Sequence, residues 1–273
     1  MSELVGAAAS GKRGRERPAS PPPSVQIRRP AWRPRVRQMG AERHRIKTHI
    51  LGLDEEMHGG IPHGNVVLLS GAPGTMKSSV ALNLLYNNAV HDGRSGLYVS
   101  LEQGRDSLLD QAASINMDFT KVEDKVRIID MGYLRKNLEQ AQKGVSWMDV
   151  FRMYAENLKS TLKYDILVAD SLTVFDVFLG ADVNRREKLF QLFEWMRDLK
   201  CTTVIIAEAG HGPAGTTEED YLADGIIRLS KERVGAMDMQ RMLLVDKMRG
   251  TKHNTSLFTL LFEQHKFQVT HAI

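Results

Sequence analysis

The sequence predicts an α/β fold in which helices flank a mainly parallel sheet and the last strands form an antiparallel edge. Short apolar runs alternate with helical patterns from about residue 46 to residue 207. This alternation is typical of βαβ units, whose crossover helices cover both faces of a parallel sheet. The extended runs after residue 220 are joined by short links, which favours antiparallel pairing. An apolar content of 42% is that of an ordinary globular protein.

A phosphate-binding loop joins the first core strand to the first long helix. Residues 66–69 form an apolar strand, and the helical spacing starts at Lys77. The intervening residues follow the pattern G-x-x-x-x-G-K-[ST], in which backbone N–H groups surround phosphates, the Lys neutralises them and the hydroxyl holds Mg²⁺. The sequence therefore predicts ATP binding by nine residues of this loop. They are Gly71, Ala72, Pro73, Gly74, Thr75, Met76, Lys77, Ser78 and Ser79.

One position departs from the loop pattern, because Met76 stands where the last glycine is expected. Glycine at this point lets the chain turn into the helix without a Cβ near the phosphates. A methionine can be accommodated if its side chain points into the core. We therefore expect the loop to bind nucleotide and Met76 to weaken hydrolysis.

The elements after the loop helix are predicted from their hydrophobic periodicity. Helical spacing predicts three further helices, and short apolar runs predict four further core strands before the extended runs at the end of the chain. The predicted helices are 107–115, 147–162 and 187–199, the strands are 96–101, 126–130, 165–170 and 202–207, and the three extended runs lie near 225–230, 239–247 and 256–270.

Acidic residues end three of the predicted strands, at the sheet edge where open α/β folds bind their ligands. Asp170 ends an apolar strand in the Walker B arrangement and, with Ser78, is predicted to hold Mg²⁺. Glu102 ends another strand and can orient or deprotonate an attacking water, so we predict Glu102 and Lys77 as the catalytic residues. Glu208 could contact the γ-phosphate. Together with the loop, these residues predict an ATP and Mg²⁺ site.

A second cationic segment lies near the end of the chain. Lys247 and Arg249 are two residues apart on a predicted strand, so their side chains point to the same side. The pair is either a solvated edge of the sheet or a charge clamp on a phosphate of a neighbouring subunit. The spacing alone favours the solvated edge.

The charge of the chain is unevenly distributed. Residues 1–38 contain nine Lys or Arg against two Glu, a net charge of +7, so the rest of the chain carries a net charge of −3. Six of the nine prolines lie in the same stretch, which cannot bury enough apolar surface to become ordered. We predict that residues 1–45 form a disordered tail and residues 46–273 a folded domain. The tail is a solvated extension or contacts nucleic acid or an acidic partner.

The single cysteine, Cys201, lies beside an apolar strand and is expected to be a buried small hydrophobe. One cysteine cannot form an internal disulfide, which suits a reducing cytoplasm. No apolar run approaches the length of a membrane-spanning helix. The sequence thus predicts a cytoplasmic protein with no membrane segment.

From about residue 46 to its end, the chain resembles the RecA-type ATPases, and most closely one domain of the KaiC clock ATPases with their archaeal and bacterial relatives. The resemblance includes the phosphate-binding loop and six other stretches in the same order. These are Gly52–Asp54, His58–Gly64, Tyr98–Glu102, Asp170–Ser171, Leu222–Ile227 and Lys247–His253.

The resemblance implies a RecA-like ATPase domain that assembles into a homo-oligomer, most simply a hexameric ring with ATP between subunits. Lys247 and Arg249 would then reach the γ-phosphate of the adjacent subunit, with His253 nearby, and Glu102 would be the catalytic glutamate. The chain departs from the clock proteins in having one such domain. It also has Asp220 and Tyr221 where their phosphoacceptor Ser-Thr pair is expected, which argues against a self-phosphorylating timer.

The sequence leaves three functions open. The leading hypothesis is a slow ATPase that signals through its nucleotide state to an unknown protein partner. A RecA/RadA-type recombination or repair factor is less favoured, because residues 175–184 and 210–220, where such proteins bind DNA, contain no Lys or Arg. A scaffold that binds ATP without hydrolysing it is the third possibility, which Met76 favours.

Overall fold

The computed structural model describes residues 44–132, 147–174, 184–209, 217–235 and 238–272. These residues belong to a compact unit that spans Glu42–Ile273. Within these ranges, no helix is both long and apolar enough to cross a membrane. Of the two stretches that bear on DNA binding, residues 175–183 and 210–216 lie outside the described part of the chain.

Eleven strands and six helices make up the described part of the fold. The strands are β1 (Arg45–Ile46), β2 (Ile61–Pro62), β3 (Val66–Gly71), β4 (Gly96–Ser100), β5 (Val126–Asp130), β6 (Ile166–Asp170), β7 (Thr202–Ala207), β8 (Gly225–Val234), β9 (Asp238–Met248), β10 (Leu257–Glu263) and β11 (Lys266–His271). The helices are α1 (Leu53–Glu56), α2 (Lys77–His91), α3 (Arg105–Ser114), α4 (Trp147–Leu162), α5 (Arg185–Asp198) and α6 (Glu218–Leu222). A 3₁₀ turn, Phe119–Val122, precedes β5.

Nine of these strands form one sheet in the order β11-β10-β9-β8-β3-β7-β6-β4-β5. From β8 to β5 all neighbours are parallel, whereas β8, β9, β10 and β11 pair antiparallel in sequence. The predicted fold class, a mainly parallel sheet with an antiparallel C-terminal edge, is confirmed. β1 and β2 form a separate antiparallel pair.

Helices cover both faces of the parallel strands, as the continuous apolar strands predict. Along β3, Val67 and Leu69 join the core cluster under α2 and α3, whereas Val66 and Leu68 join the cluster under α4 and α5. All of these strand side chains are buried. Burial on both faces explains why the strands are uniformly apolar rather than alternating.

The extended run predicted near 256–270 is wrong as a single strand, because the chain folds into the β10–β11 hairpin. Glu263 pairs with Lys266, so Gln264 and His265 alone form the turn, with φ angles of 48° and 63°. Positive φ at both positions is the geometry of a type I′ turn, which is normally signalled by Asn-Gly or Asp-Gly. The turn here is Gln264-His265, which matches neither dipeptide, so the sequence contains no signal for a turn at this point.

The first described strand, β1, starts at Arg45, beside the predicted domain boundary, and residues 1–43 of the predicted tail lie outside the described part of the chain. Arg45 belongs to β1 and pairs with Pro62 of β2. Its guanidinium donates hydrogen bonds to the carbonyl oxygens of Met57 and Gly60, at 3.2 and 2.8 Å. These bonds attach the start of the described chain to the segment after α1.

Candidate functional site

The phosphate-binding loop connects the end of β3 to the start of α2. At Gly71 a side chain has no space, because an added Cβ would lie 2.4 Å from the carbonyl oxygen of Leu229 in β8. Gly74 has a φ of +78°, a conformation that favours glycine. Thr75 is buried and donates a hydrogen bond from Oγ1 to the carbonyl oxygen of Ala72 at 2.8 Å. These contacts fix the loop independently of any ligand.

Met76 is the residue that caps the N-terminus of α2, and it adopts the left-handed conformation with φ 74° and ψ 26°. For a residue with a Cβ this conformation costs about 1–2 kcal/mol relative to the right-handed one. The side chain packs against the core cluster beneath α2, as expected for a methionine that replaces the loop glycine. The backbone thus keeps the geometry of the glycine pattern, while the side chain turns to the core.

Lys77 reaches back over the loop that it follows. Its Nζ donates hydrogen bonds to the carbonyl oxygens of Gly71 and Ala72 at 2.7 and 3.1 Å. Burial lowers the pKa of Lys77, and the nearby carboxylates of Glu208 and Asp170 act in the opposite direction. Among the described residues, only loop carbonyls accept hydrogen bonds from this ammonium, so it can exchange these bonds for phosphate oxygens without first breaking an ion pair.

A hydroxyl and a carboxylate meet beside Lys77. Ser78 Oγ donates to Asp170 Oδ2 at 2.9 Å, and Tyr98 Oη donates to the same oxygen at 2.5 Å. Burial raises the pKa of Asp170, an effect that the hydrogen bonds from Tyr98 and Ser78 partly offset. Burial and the Asp170 carboxylate raise the pKa of Tyr98 well above its usual value. Tyr98 therefore remains a hydrogen-bond donor to Asp170.

These two oxygen donors fit a magnesium ion. Mg²⁺ prefers oxygen ligands and commonly takes one or two from the protein, completing its shell with waters and phosphate oxygens. Ser78 and Asp170 supply a hydroxyl and a carboxylate next to the phosphate-binding loop. The described residues contain no group of three or more His, Cys, Asp or Glu side chains that could hold a metal alone. The donor set thus suits a metal that shares its ligands with a bound nucleotide.

Glu102 lies two residues after the end of β4, at the same sheet edge. Its Oε1 accepts a hydrogen bond from the hydroxyl of Ser171, the residue that follows Asp170 through a cis peptide bond. Glu102 and Glu208 are both exposed, and both influence the pKa of Lys77. The residues that end β4, β6 and β7 therefore face the loop from one side, as the strand-end pattern predicts.

The second cationic segment lies elsewhere on the sheet. Lys247 pairs with Ile226, which pairs with Leu68, three residues before Gly71 and thus about 10 Å from the loop along the strand. Lys247 Nζ donates to the carbonyl oxygen of Asp220 at 2.8 Å. Its pKa is lowered by burial and by the charge of Arg249. The fold does not bring Lys247 to the loop of its own chain.

Arg249 and His253 continue this segment beyond β9. Arg249 forms an ion pair with Asp224, with its Nη1 3.1 Å from Oδ1. Both ring nitrogens of His253 are buried, and within the described residues they have no hydrogen-bond partner. The ring nitrogens of His253 are thus shielded from solvent, although the residue as a whole is only half-buried.

Asp220 is a structural residue of α6. It forms a capping box with Thr217, and Arg228 donates to its Oδ2 at 2.9 Å. Its side chain is buried, whereas the adjacent Tyr221 is exposed. The position where the clock proteins have a phosphoacceptor hydroxyl therefore holds a buried carboxylate, Asp220, that is paired with Arg228.

The fold and the loop define a RecA-like P-loop nucleotide-binding domain. More particularly, the chain belongs to the KaiC ATPase family, whose family model matches residues 46–271. It is 32% identical over 238 residues to a UPF0273 protein of Thermotoga maritima, a match that covers 83% of this chain and 93% of that protein. It is 29% identical to the circadian clock oscillator protein KaiC 1 of Synechocystis, over 88% of this chain and 45% of that protein.

A solved structure agrees with this assignment. A KaiC-like protein from the hyperthermophilic archaeon Pyrococcus horikoshii superimposes with a TM-score of 0.70 and 28% sequence identity. The match covers 83% of this chain and 99% of that one. The family resemblance predicted from the sequence is therefore confirmed.

Proposed function

We propose that this chain is a slow, Mg²⁺-dependent ATPase that assembles into a homo-oligomer, most simply a hexameric ring, and acts in signalling or regulation through its nucleotide state. The observation that carries the proposal is the meeting of Ser78 and Asp170 beside Lys77, at 2.9 Å between Ser78 Oγ and Asp170 Oδ2. A hydroxyl, a buried carboxylate and an ammonium at a loop of this pattern are what a Mg·ATP site requires.

In the proposed reaction, each polar residue at the carboxyl ends of the parallel strands has a distinct role. The loop amides and Lys77 hold the phosphate chain, and Ser78 and Asp170 hold Mg²⁺. Mg²⁺, when bound, neutralises charge that develops on the transferred phosphoryl group. Glu102 orients an attacking water and accepts its proton, and Ser171 holds the Glu102 carboxylate in position.

Assembly would complete the site. Lys247 lies about 10 Å from its own loop along the sheet, which supports a role for Lys247 and Arg249 at the γ-phosphate of a neighbouring subunit. Cations supplied from outside a P-loop chain stabilise the charge of the transition state. We place His253 near this contact, because it follows the two cations in the same segment, although both of its ring nitrogens are buried in the separate chain.

A second candidate is an ATP-bound scaffold that does not turn over. The left-handed Met76 favours it, because a side chain now stands where the loop pattern has none. The retained Glu102 and Asp170 favour chemistry, so we place the slow ATPase first.

Phosphate release by the full chain, with Mg·ATP in excess, tests the proposal. We expect slow turnover that Glu102→Gln removes while ATP still binds, and that Lys77→Ala removes together with binding. Size-exclusion chromatography with light scattering, with and without Mg·ATP, measures assembly in the same samples. ATP binding with no phosphate release above the Glu102→Gln background would overturn the enzyme and leave the scaffold.

A further inference from the structure

A change of side-chain type occurs along one face of β8 and β9 where these strands pass the phosphate-binding loop. On this face Ile227 lies opposite Val245, and Leu229 lies opposite Leu243, all in the core beneath α2. Two residues further along each strand, on the same face, the next opposed pair is cationic. It consists of Lys231 and Arg241.

The cationic pair lies beside the loop because β8 runs next to β3. Gly71, the first loop residue, pairs with Leu229, so Lys231 is two residues beyond the end of this ladder. A Cβ added at Gly74 would lie 3.2 Å from Lys231 Nζ. The ammonium thus rests against the middle of the phosphate-binding loop, although Lys231 is far from that loop in sequence.

Within the part of the chain that the structure describes, no carboxylate is paired with either of the two cations. Like charges directly opposite each other on antiparallel strands are destabilising. Both side chains are exposed, and within the described ranges neither forms a salt bridge with a carboxylate. By contrast, Arg228 on the other face of β8 is paired with both Asp220 and Asp246. Two opposed cations therefore remain available at the loop for an external anion.

We propose that Lys231 contacts the phosphate chain of the nucleotide bound at the loop, with Arg241 adding positive charge behind it. This inference rests on the proposed nucleotide binding and adds a residue outside the loop pattern. Lys77 approaches the phosphates from the start of α2, whereas Lys231 approaches from β8 beside Gly74. The ligand class is a nucleoside di- or triphosphate, since a monophosphate carries less charge for a second cation.

The test compares nucleotide affinities of full-length variants by titration calorimetry with ATP, ADP and AMP in the presence of Mg²⁺. Lys231→Met should weaken ATP and ADP binding about tenfold, the loss expected for one charged hydrogen bond, and should change AMP binding less. Lys231→Arg should retain most of the affinity. The matched control is Lys121→Met, which removes an exposed lysine that pairs with Asp118 before β5 and should leave all three affinities unchanged.

The outcomes separate this inference from the proposed function. Equal ATP affinity of Lys231→Met and Lys121→Met, with tight binding by the unaltered chain, overturns the role of Lys231 alone. An equal loss for ATP, ADP and AMP also overturns it, because the contact would then not be with the phosphate chain. Absence of nucleotide binding by the unaltered chain overturns the proposed function and this inference together.

Discussion

Two segments of the folded domain that carry predicted phosphate-binding cations, the loop Gly71–Ser79 and the segment Lys247–His253, hold their charges in different ways. Among the described residues, Lys77 donates only to loop carbonyls and forms no ion pair. Arg249 is paired with Asp224, and Lys247 is bonded to the backbone of α6. The loop is thus preformed to receive an anion within its own chain. The other segment is bonded to the body of its own domain, and we propose that it acts on a neighbouring subunit.

Replacing one lysine in each segment gives the largest expected effect. Lys77→Ala removes the charge that the loop holds for phosphate, and ATP affinity should fall on the order of 100-fold. Lys247→Ala should leave the ATP affinity of the separate chain within about twofold, because Lys247 does not reach its own loop. Calorimetric titration at a protein concentration that prevents assembly measures both. A large loss in Lys247→Ala would break the comparison.

The anchoring of the second segment predicts a stability difference between two partners of one ion pair. Asp224 accepts hydrogen bonds from the backbone N–H of Val66 and from Arg197 and Arg249. Asp224→Ala leaves buried donors without a partner and should lower the free energy of unfolding by about 2–3 kcal/mol. Arg249→Ala removes an exposed partner and should cost at most about 1 kcal/mol.

Urea denaturation of the two variants, each against the unaltered chain, provides the measurement. Equal losses would mean that Arg249, rather than the backbone of β3 and Arg197, is the main partner of Asp224. In that case the segment Lys247–His253 would mainly stabilise its own domain rather than contact another subunit.

The loop itself allows a finer test at Met76. Met76→Gly removes the side-chain packing and also the left-handed strain, whereas Met76→Ala removes the packing and keeps the strain. The glycine variant should therefore be more stable than the alanine variant by about 1 kcal/mol. Thermal unfolding measures this difference.

Turnover of the same two variants shows whether Met76 restrains hydrolysis. The sequence predicts that Met76 weakens hydrolysis, but its side chain packs against the core cluster beneath α2. From this packing we expect Met76→Gly to change the rate of phosphate release by less than about threefold. A rise well beyond that range would identify Met76 as a brake on the reaction.

The loop and the strand ends were predictable because their signals are local. The order Gly71, Lys77 and Ser78 follows from spacing alone, and Glu102 and Asp170 were found because parallel strands end at one edge. Cys201, expected to be a buried small hydrophobe, is buried, and its burial raises the pKa of the thiol to about 11.

Other features depend on pairings that spacing does not reveal. Tyr98 lies within an apolar strand and looks like a core residue, yet its hydroxyl is directed to Asp170 from the neighbouring strand. From the sequence alone Lys231 resembles a solvent-exposed residue near the end of a strand. Only the pairing of β8 with β3 places it beside the phosphate-binding loop. The anchoring of Arg249 by Asp224 likewise requires the β8–β9 register, which contains an irregularity at Ile226 and Ile227.

The central claim is that the loop acts within its own chain and Lys247 acts on a neighbour. Mixing two inactive proteins, Lys77→Ala and Lys247→Ala, tests it directly. In mixed oligomers the intact loop of one can receive the intact Lys247 of the other, which should restore about a quarter of the unaltered rate of phosphate release in an equal mixture. In the control mixture, Lys77→Ala with Glu102→Gln, both altered residues belong to the loop side of the site. Every site therefore carries one of the two changes, and the mixture should stay inactive. Restoration in the first mixture alone is the result we predict, and no restoration in either would contradict the account.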